Sequence, residues 1–520
     1  MAYERLGAQD SLFLHIEKPQ QPQHVGSLGI LEGGPFHDED GRFRIDDVRQ
    51  VIGSRLHLVP RFRKRVMEVP LEQGRPVWVD DEAFDLGYHV RLTALPKPGS
   101  EEQLLALFAR IQSHLLDRRR PLWELWFVEG LADDRVAVIQ KTHHCMVDGI
   151  SGVDVATVIF DLGPEVTRLD PQPWRPSPPP SPAQLMLESL VERAVEPAEI
   201  ARSLRSALRV PRQLAERAKD VAQAVATAAP SAPATPWNVP ISPHRRWLPL
   251  RVPIAEAKAI KDAASADERL GGRVSLNDVV LAAVTTGLRL FLDERDQPLP
   301  DDLVLKAMVP VTMRAQEDRD AAAAAGTAAV GNRVSMMSAP LPVGLADPIE
   351  RLRSICDGMR ELKESGAAVG ADLLMQMTNY APPTVLSMAS RLLVRSRAIN
   401  LTITNVPGPQ FPLYCLGARV LEAFPYVGIV DGQALTIAVL SYDGVLGFGI
   451  TGDRDVLPDL SVLTDGIQAG LTELTAALGV GAGSGPGSGD RAAPPGKKAP
   501  TKKKARPAAK AAKAAKGVGA

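Results

Sequence analysis

The chain has little cysteine: Cys145, Cys356 and Cys415 are the only three thiols in 520 residues. Scattered in this way, they supply neither a disulfide framework nor a four-cysteine metal site, and they suit a reducing compartment. Long apolar runs are missing as well. Polar or charged residues interrupt every hydrophobic stretch well short of the ~20 residues that span a bilayer, which argues against a transmembrane protein. The first nineteen residues contain Glu4, Arg5, Asp10, Glu17 and Lys18 with no uninterrupted apolar segment between them. No secretory signal is legible there, and a cytosolic location is expected. There is no Gly-x-Ser-x-Gly elbow, no phosphate loop ending in Gly-Lys-Ser/Thr, no His-x-x-x-His pair and no Cys-x-x-Cys pair. A serine hydrolase, a P-loop enzyme and a zinc site therefore lose their usual support.

Net charge is also scarce, at −1, but the balance conceals an uneven distribution. From Gly481 to Ala520 ten Lys and Arg residues face one acid, Asp490, while positions 1–480 carry fifty basic and sixty acidic residues. An acidic body argues against nucleic acid as the main substrate, because neutralising phosphates needs clustered Lys and Arg. The tail lacks apolar periodicity and reads as a disordered Lys/Ala/Pro-rich segment.

Composition divides the rest. Eight prolines fall between Pro164 and Pro182, a density that neither a core helix nor a central strand tolerates. Residues 183–229 are rich in Ala, Leu, Arg and Glu with helical spacing, and five more prolines follow between Pro230 and Pro243. These features predict a Pro-rich and helical crossover over 164–245 between a first half, 1–163, and a second, 246–479. Both halves read as mixed α/β. The periodicity predicts helices over 101–116, 276–292 and 460–478, and strands near 303–309 and 435–440.

What is present in the first half is one chemical constellation, Val136-Ala-Val-Ile-Gln-Lys-Thr-His-His-Cys-Met-Val-Asp-Gly149. The β-prone run ends at the histidine pair, and Asp148-Gly149 is a turn signal. Neighbours in a strand point to opposite faces, so only one of His143 and His144 easily enters a given cavity while the other packs. Asp148 either fixes a histidine tautomer or pins the loop to an arginine. With metal binding unsupported, general-base catalysis by a histidine remains as the chemical reading.

His143-His144-Cys-Met-Val-Asp148-Gly149 fits the pattern His-His-x-x-x-Asp-Gly, and so resembles the superfamily of chloramphenicol acetyltransferase, plant alcohol acyltransferases and nonribosomal peptide condensation domains. Further blocks are similar to the bacterial wax ester synthase/acyl-CoA:diacylglycerol acyltransferase family: LGAQDSLFLHIEKPQQPQHVGSL near the start, Pro121-Leu122-Trp123, Asn277-Asp278 within VSLNDVVLAAV, MVPVTMR ending at Arg314, GNRVSMM, NVPGP from Asn405, and SYDGVLGFGI.

The resemblance implies two chloramphenicol-acetyltransferase-like domains of mixed α/β class with a substrate tunnel between them. It implies transfer of a long-chain acyl group from acyl-CoA to diacylglycerol, and also to a fatty alcohol, with acyl-CoA as substrate and neither cofactor nor metal. His144 would be the general base. His143 is either a buried, hydrogen-bonded histidine or a support that orients His144, while Asp148 and Gly149 shape the site. Pro121, Leu122 and Trp123 either line the tunnel or brace it as core. Asn277 and Asp278 are candidates for substrate binding, although Ser275-x-x-Asp278 by itself explains a helix cap. Arg314 is an ion-pairing or a site residue, NVPGP has turn chemistry throughout and reads as a loop, and Cys145 occupies a free position of the motif.

Both acceptors are lipids, so peripheral association with a membrane or lipid droplet is expected. The tail reads either as a binder of anionic headgroups or as a solvated charge run touching nucleic acid weakly. The other readings are acyl transfer to an amine or a polyketide hydroxyl, and a catalytically silent lipid-binding scaffold. Oligomeric state is not legible.

Overall fold

Strands that read as near-continuous apolar runs need cover on both faces, and three here do: Val136–Ile139, Leu435–Val439 and Leu446–Ile450. Each lies inside a six-stranded sheet. The computed structural model describes residues 3–72, 74–146, 158–189, 191, 232–312, 334–364 and 398–480. In chain order, the first part supplies β1 (Glu4–Arg5), helix α1 (Ala8–Ile16), β2 (His24–Glu32), α2 (Ile45–Arg55), β3 (Lys64–Met67), β4 (Val77–Asp80), the single turn α3 (Leu86–His89), β5 (Val90–Ala94), α4 (Glu101–Ser113), β6 (Trp123–Leu131) and β7 (Arg135–His143). After the crossover come β8 (Arg245–Pro253), α5 (Ile254–Ala266), α6 (Leu276–Asp293), β9 (Leu305–Thr312), β10 (Val334–Leu341), α7 (Pro348–Glu364) and β11 (Leu401–Pro407). The chain closes with β12 (Tyr414–Cys415), β13 (Ala418–Val427), β14 (Leu435–Tyr442), β15 (Val445–Asp453) and α8 (Ser461–Ala477).

One sheet has the order β12-β13-β2-β7-β6-β5, the other β10-β9-β11-β14-β15-β8, and β1-β4-β3 form a small third sheet. Strands and helices thus mix in one α/β architecture. The hairpin β12–β13 is the exception to sequence order: the strands on either side of it, β11 and β14, lie in the second sheet, yet β13 pairs antiparallel with β12 and with β2 in the first, Phe424 opposite Leu28 and Val427 opposite Val25. This exchange brings the β13 backbone onto β15. A Cβ on Gly447 would drive into the carbonyl oxygen of Ala423, and one on Gly449 into that of Pro425, so only glycine fits at either place.

The crossover returns through a buried node. Asn400 accepts the Lys306 N–H at 2.8 Å, donates to Pro233 O at 2.7 Å, and its carbonyl accepts the Trp237 indole N–H at 3.0 Å. The departing side is held by Arg55, whose guanidinium meets the buried Asp161 carboxylate at 2.5 Å, while Asp161 and Tyr414 exchange main-chain hydrogen bonds. Residues 192–231 and the tail from Gly481 lie outside the described residues, and so do the helical and disorder expectations placed on them.

Three expectations change in detail. Helix α4 stops at Ser113 rather than continuing to 116, because the buried Lys141 ammonium takes the carbonyls of Ile111 at 2.8 Å and His114 at 2.5 Å. The strand expected near 303–309 begins at Leu305 and runs to Thr312. The NVPGP segment is not a loop throughout: Asn405, Val406 and Pro407 belong to β11 and pair parallel with Val439, Leu440 and Ser441. Turn propensity is overridden there because the sheet partner β14 continues alongside, and Gly408 still donates its N–H to Ser441 Oγ at 3.1 Å.

Gly449→Ala is expected to destabilise the protein by about 2 kcal/mol or more, the cost of overpacking against a backbone that cannot retreat. Denaturant unfolding of the variant against wild type measures it, and an unchanged midpoint would show that β13 does not rest on β15 as described.

Candidate active site

The site begins with a register. β2 and β7 pair antiparallel from Glu32 opposite Arg135 to His24 opposite His143, so the last residue of one strand meets the first of the other. Just before β2, α1 ends at Ile16 and Glu17 turns back beneath the pair. The Glu17 side chain is 3% exposed, and its carboxylate Oε1 lies 3.3 Å from His143 Nε2 and 3.6 Å from His24 Nε2. It also accepts the Gln23 N–H at 3.1 Å and pairs with Arg118 at 3.0 Å. Burial by itself would raise this carboxyl, but the hydrogen bond and charge of His143, with His24 and the Gln23 N–H, bring it down to about 2.

His143 has a polar neighbour at each ring nitrogen. Its Nδ1 accepts the Cys145 N–H at 3.1 Å, which places the ring proton on Nε2, facing Glu17. His144 has a different surrounding. It opens a short 3₁₀ turn, His144–Met146, its main-chain N–H donates to Gln23 O at 2.8 Å, and its ring stacks on Phe13 of α1 at 3.9 Å and 22°. No other described residue bonds the imidazole, whose Nδ1 is buried while the residue as a whole is half-buried. Burial, and then the neighbouring His143, push the ring down to about 4. It is therefore neutral at physiological pH and able to accept a proton.

Two further groups complete the surroundings. His24 is driven well below its usual range by burial and then by the Lys141 charge. Burial brings Lys141 itself down to about 8, against the opposing pull of Glu124 and Glu17. Cys145 is fully buried, and burial raises its thiol well above the usual range, the reverse of what a nucleophile needs.

The remaining sequence candidates separate. Asp148 and Gly149 fall outside the described residues, as does Arg314. Pro121, Leu122 and Trp123 are buried at the start of β6. Trp123 is 1% exposed, stacks between Phe62 at 4.7 Å and His89 at 4.5 Å, and donates its indole N–H to Phe62 O at 2.9 Å. Both of its faces are thus occupied by packing. At the start of α6, Ser275 and Asp278 form a capping box, and Asn277 Oδ1 meets Asn405 Nδ2 at 3.4 Å, which joins two of the sequence blocks. Glu17, His24 and Lys141 were not singled out by sequence reasoning. Glu17 and His24 sit in the first block, but only the β2–β7 register brings them to His143. Among the described residues, no group of three or more His, Cys, Asp or Glu is arranged to hold a metal ion.

Comparison with known proteins bears on this arrangement. Residues 6–280 match the family model for the wax ester synthase/diacylglycerol acyltransferase catalytic domain, and residues 330–475 match the C-terminal domain of the same family. The chain belongs to the wax ester synthase/diacylglycerol acyltransferase family. A Mycobacterium tuberculosis relative named "Probable diacyglycerol O-acyltransferase tgs2" is 34% identical over 481 residues, 91% of this chain and 98% of the relative. A second from the same organism, named "Probable diacyglycerol O-acyltransferase tgs1", is 33% identical over 461 residues, 87% of this chain and 91% of the relative. Among solved structures, the wax ester synthase/diacylglycerol acyltransferase from Marinobacter aquaeolei VT8 is 28% identical with a TM-score of 0.64, covering 92% of this chain and 100% of that one. The starter condensation domain of rhizomide synthetase, 13% identical with a TM-score of 0.54 over 92% of this chain and 95% of that one, shares the fold.

If His144 acts as a base, a ring held at about 4 predicts the acid side of the pH profile. Neutral His144 would then be the active form, and kcat/KM is expected to stay level from neutral pH downward and to fall only as pH drops through about 4; a fall centred near the ordinary histidine value of ~6.5 would contradict the described surroundings. Glu17→Gln removes the charge but keeps the shape. It is expected to lower kcat by about tenfold or more with little change in KM, and to move that acid limb. An unaltered kcat and profile would reduce Glu17 to packing.

Proposed function

We propose that this chain transfers a long-chain acyl group from acyl-CoA to the hydroxyl of diacylglycerol, giving triacylglycerol, and to a long-chain alcohol as a second acceptor, giving a wax ester. The single observation that carries the reading is the pairing of His143, which has a polar neighbour at each ring nitrogen, with an uncommitted, neutral His144 at the end of β7. With Nδ1 buried, Nε2 is the atom left to meet a hydroxyl. It takes the hydroxyl proton as the oxygen attacks the thioester carbonyl. The tetrahedral intermediate then collapses, the C–S bond breaks, and the imidazolium returns the proton to the departing coenzyme A sulfur. No acyl group passes through the protein, in keeping with a Cys145 thiol held protonated.

The names of the mycobacterial relatives support the acceptor assignment. In this proposal Asp148 and Gly149 shape the turn after His144, and the halves 1–163 and 246–479, joined by the 164–245 crossover, enclose the path for thioester and alcohol. Asn277 and Asp278 belong to the second half's contribution. No helix among the described residues is long and apolar enough to cross a membrane. Lipid acceptors would therefore be reached by docking on a membrane or droplet surface, with the basic residues between Lys497 and Lys516 as the electrostatic contribution.

The test is coenzyme A release from palmitoyl-CoA with lipid products resolved, for wild type and His144→Ala, with diacylglycerol, hexadecanol or no acceptor. An acceptor-dependent ester that falls by about 10²-fold or more in the variant is expected. Equal rates in the two proteins, or no ester with either alcohol, would overturn the reading.

A further inference from the structure

At the N-terminal end of α6, away from the histidines in sequence, α5 and α7 converge on a cavity of about 390 Å³. Its wall carries three cations, Lys261 from α5, Arg273 just before α6, and Arg360 from α7, together with Ser275, Asp278 and Met359. Three positive side chains from three separate segments around one concavity are costly to gather without an anion to face. Lys261, half-buried, pairs with the exposed Asp262 at 2.7 Å, and Arg360 pairs with Asp357 at 3.1 Å in solvent; ion pairs with an exposed partner are worth little and are readily exchanged. Arg273 is exposed and has no hydrogen-bond or ion-pair partner among the described residues. The helix end adds the positive end of an 18-residue dipole and the unbonded N–H groups of its first turn.

A second feature narrows the chemistry. Asp278 is 5% exposed, and one of its carboxylate oxygens is fully used by the cap, accepting the Ser275 N–H at 2.8 Å and the Ser275 hydroxyl at 2.7 Å. The other, Oδ1, is buried with no hydrogen-bond partner among the described residues, and Asp278 lines the cavity. A buried carboxylate oxygen left without a donor is costly, so a ligand whose N–H or O–H reaches it through a small local shift of the wall relieves that cost. Cations at the mouth and an acceptor in the wall suit a phosphate ester with a hydroxyl, amide or amine close to the phosphate. The geometry points to this cavity as the seat of the phosphorylated end of the thioester donor, coenzyme A, held by Lys261, Arg273 and Arg360 with Asp278 Oδ1 accepting a neighbouring donor. This assignment rests on the acyl-CoA reading above and adds the place where the donor's charge is recognised.

The test is equilibrium binding to the full chain without turnover, so its failure leaves the His144-dependent ester assay standing, and a failed ester assay leaves the binding result readable. Wild type, Arg273→Ala/Arg360→Ala and the single Arg273→Glu are titrated with coenzyme A, pantetheine, inorganic phosphate and phosphatidate vesicles. Expected is a loss of about tenfold or more in coenzyme A affinity in both variants, equivalent to about 1.4 kcal/mol, with pantetheine, which lacks phosphate, unchanged. Both arginines are exposed, so an unshifted unfolding midpoint verifies that the fold persists, and Arg273→Glu stands alone if the double variant does not fold. Unchanged coenzyme A affinity would overturn the assignment. So would a loss confined to phosphatidate vesicles, which makes the cavity a headgroup site, or one confined to inorganic phosphate, which makes it a simple anion site.

Discussion

Everything around the histidine pair depends on one hairpin, β12–β13, lying in the first sheet while the strands before and after it, β11 and β14, lie in the second. β13 leaves the second sheet, pairs along β2, and so completes the sheet whose next member, β7, ends in His143. The exchange demands that two backbones pass closer than side chains allow, and Gly447 and Gly449 meet that demand. Because β2 is held by β13 on one edge and β7 on the other, its register cannot slip without turning every core residue to the wrong face. The opposition of His24 and His143 follows directly, and with it the position of Glu17 immediately upstream.

Burying charge is the cost of this arrangement, and the structure limits it by distributing partners. Glu17 is enclosed, yet a main-chain N–H, a half-exposed arginine and a histidine N–H all face its oxygens. Lys141, equally buried, finds two carbonyls at the end of α4, where the helix presents partial negative charge. Breaking one member of such a set leaves the others buried and unpaired, which is why buried networks are sensitive to single changes even where their net stabilisation is small. The same set places the proton on His143 Nε2, facing Glu17.

Sequence legibility followed locality. The strand ending at the histidine pair, the cap at Ser275 and the helices α4, α6 and α8 were readable because a few adjacent residues determine each of them. The catalytic candidate His144 was readable through its motif. Glu17 was not, since its role depends on a partner more than a hundred residues away and on a strand register that no local pattern encodes. The same holds for Lys141 as the reason α4 stops early, and for Asn405 to Pro407, whose turn-prone composition yields to a neighbouring parallel strand. The exchange of β13 was invisible for the same cause: its alternating pattern says that it is a strand but not in which sheet.

Charge then explains why a local cation cluster matters for a donor of this kind. Positions 1–480 carry sixty acidic against fifty basic residues, so the body as a whole repels a polyanionic thioester. That repulsion is weak where it counts, because charges farther apart than about 8–10 Å are largely screened at physiological salt. Three cations converging within one cavity act inside that distance, and a helix end reinforces them. An acidic enzyme can therefore hold an anionic donor through a small, dense patch while its remaining surface stays negatively charged.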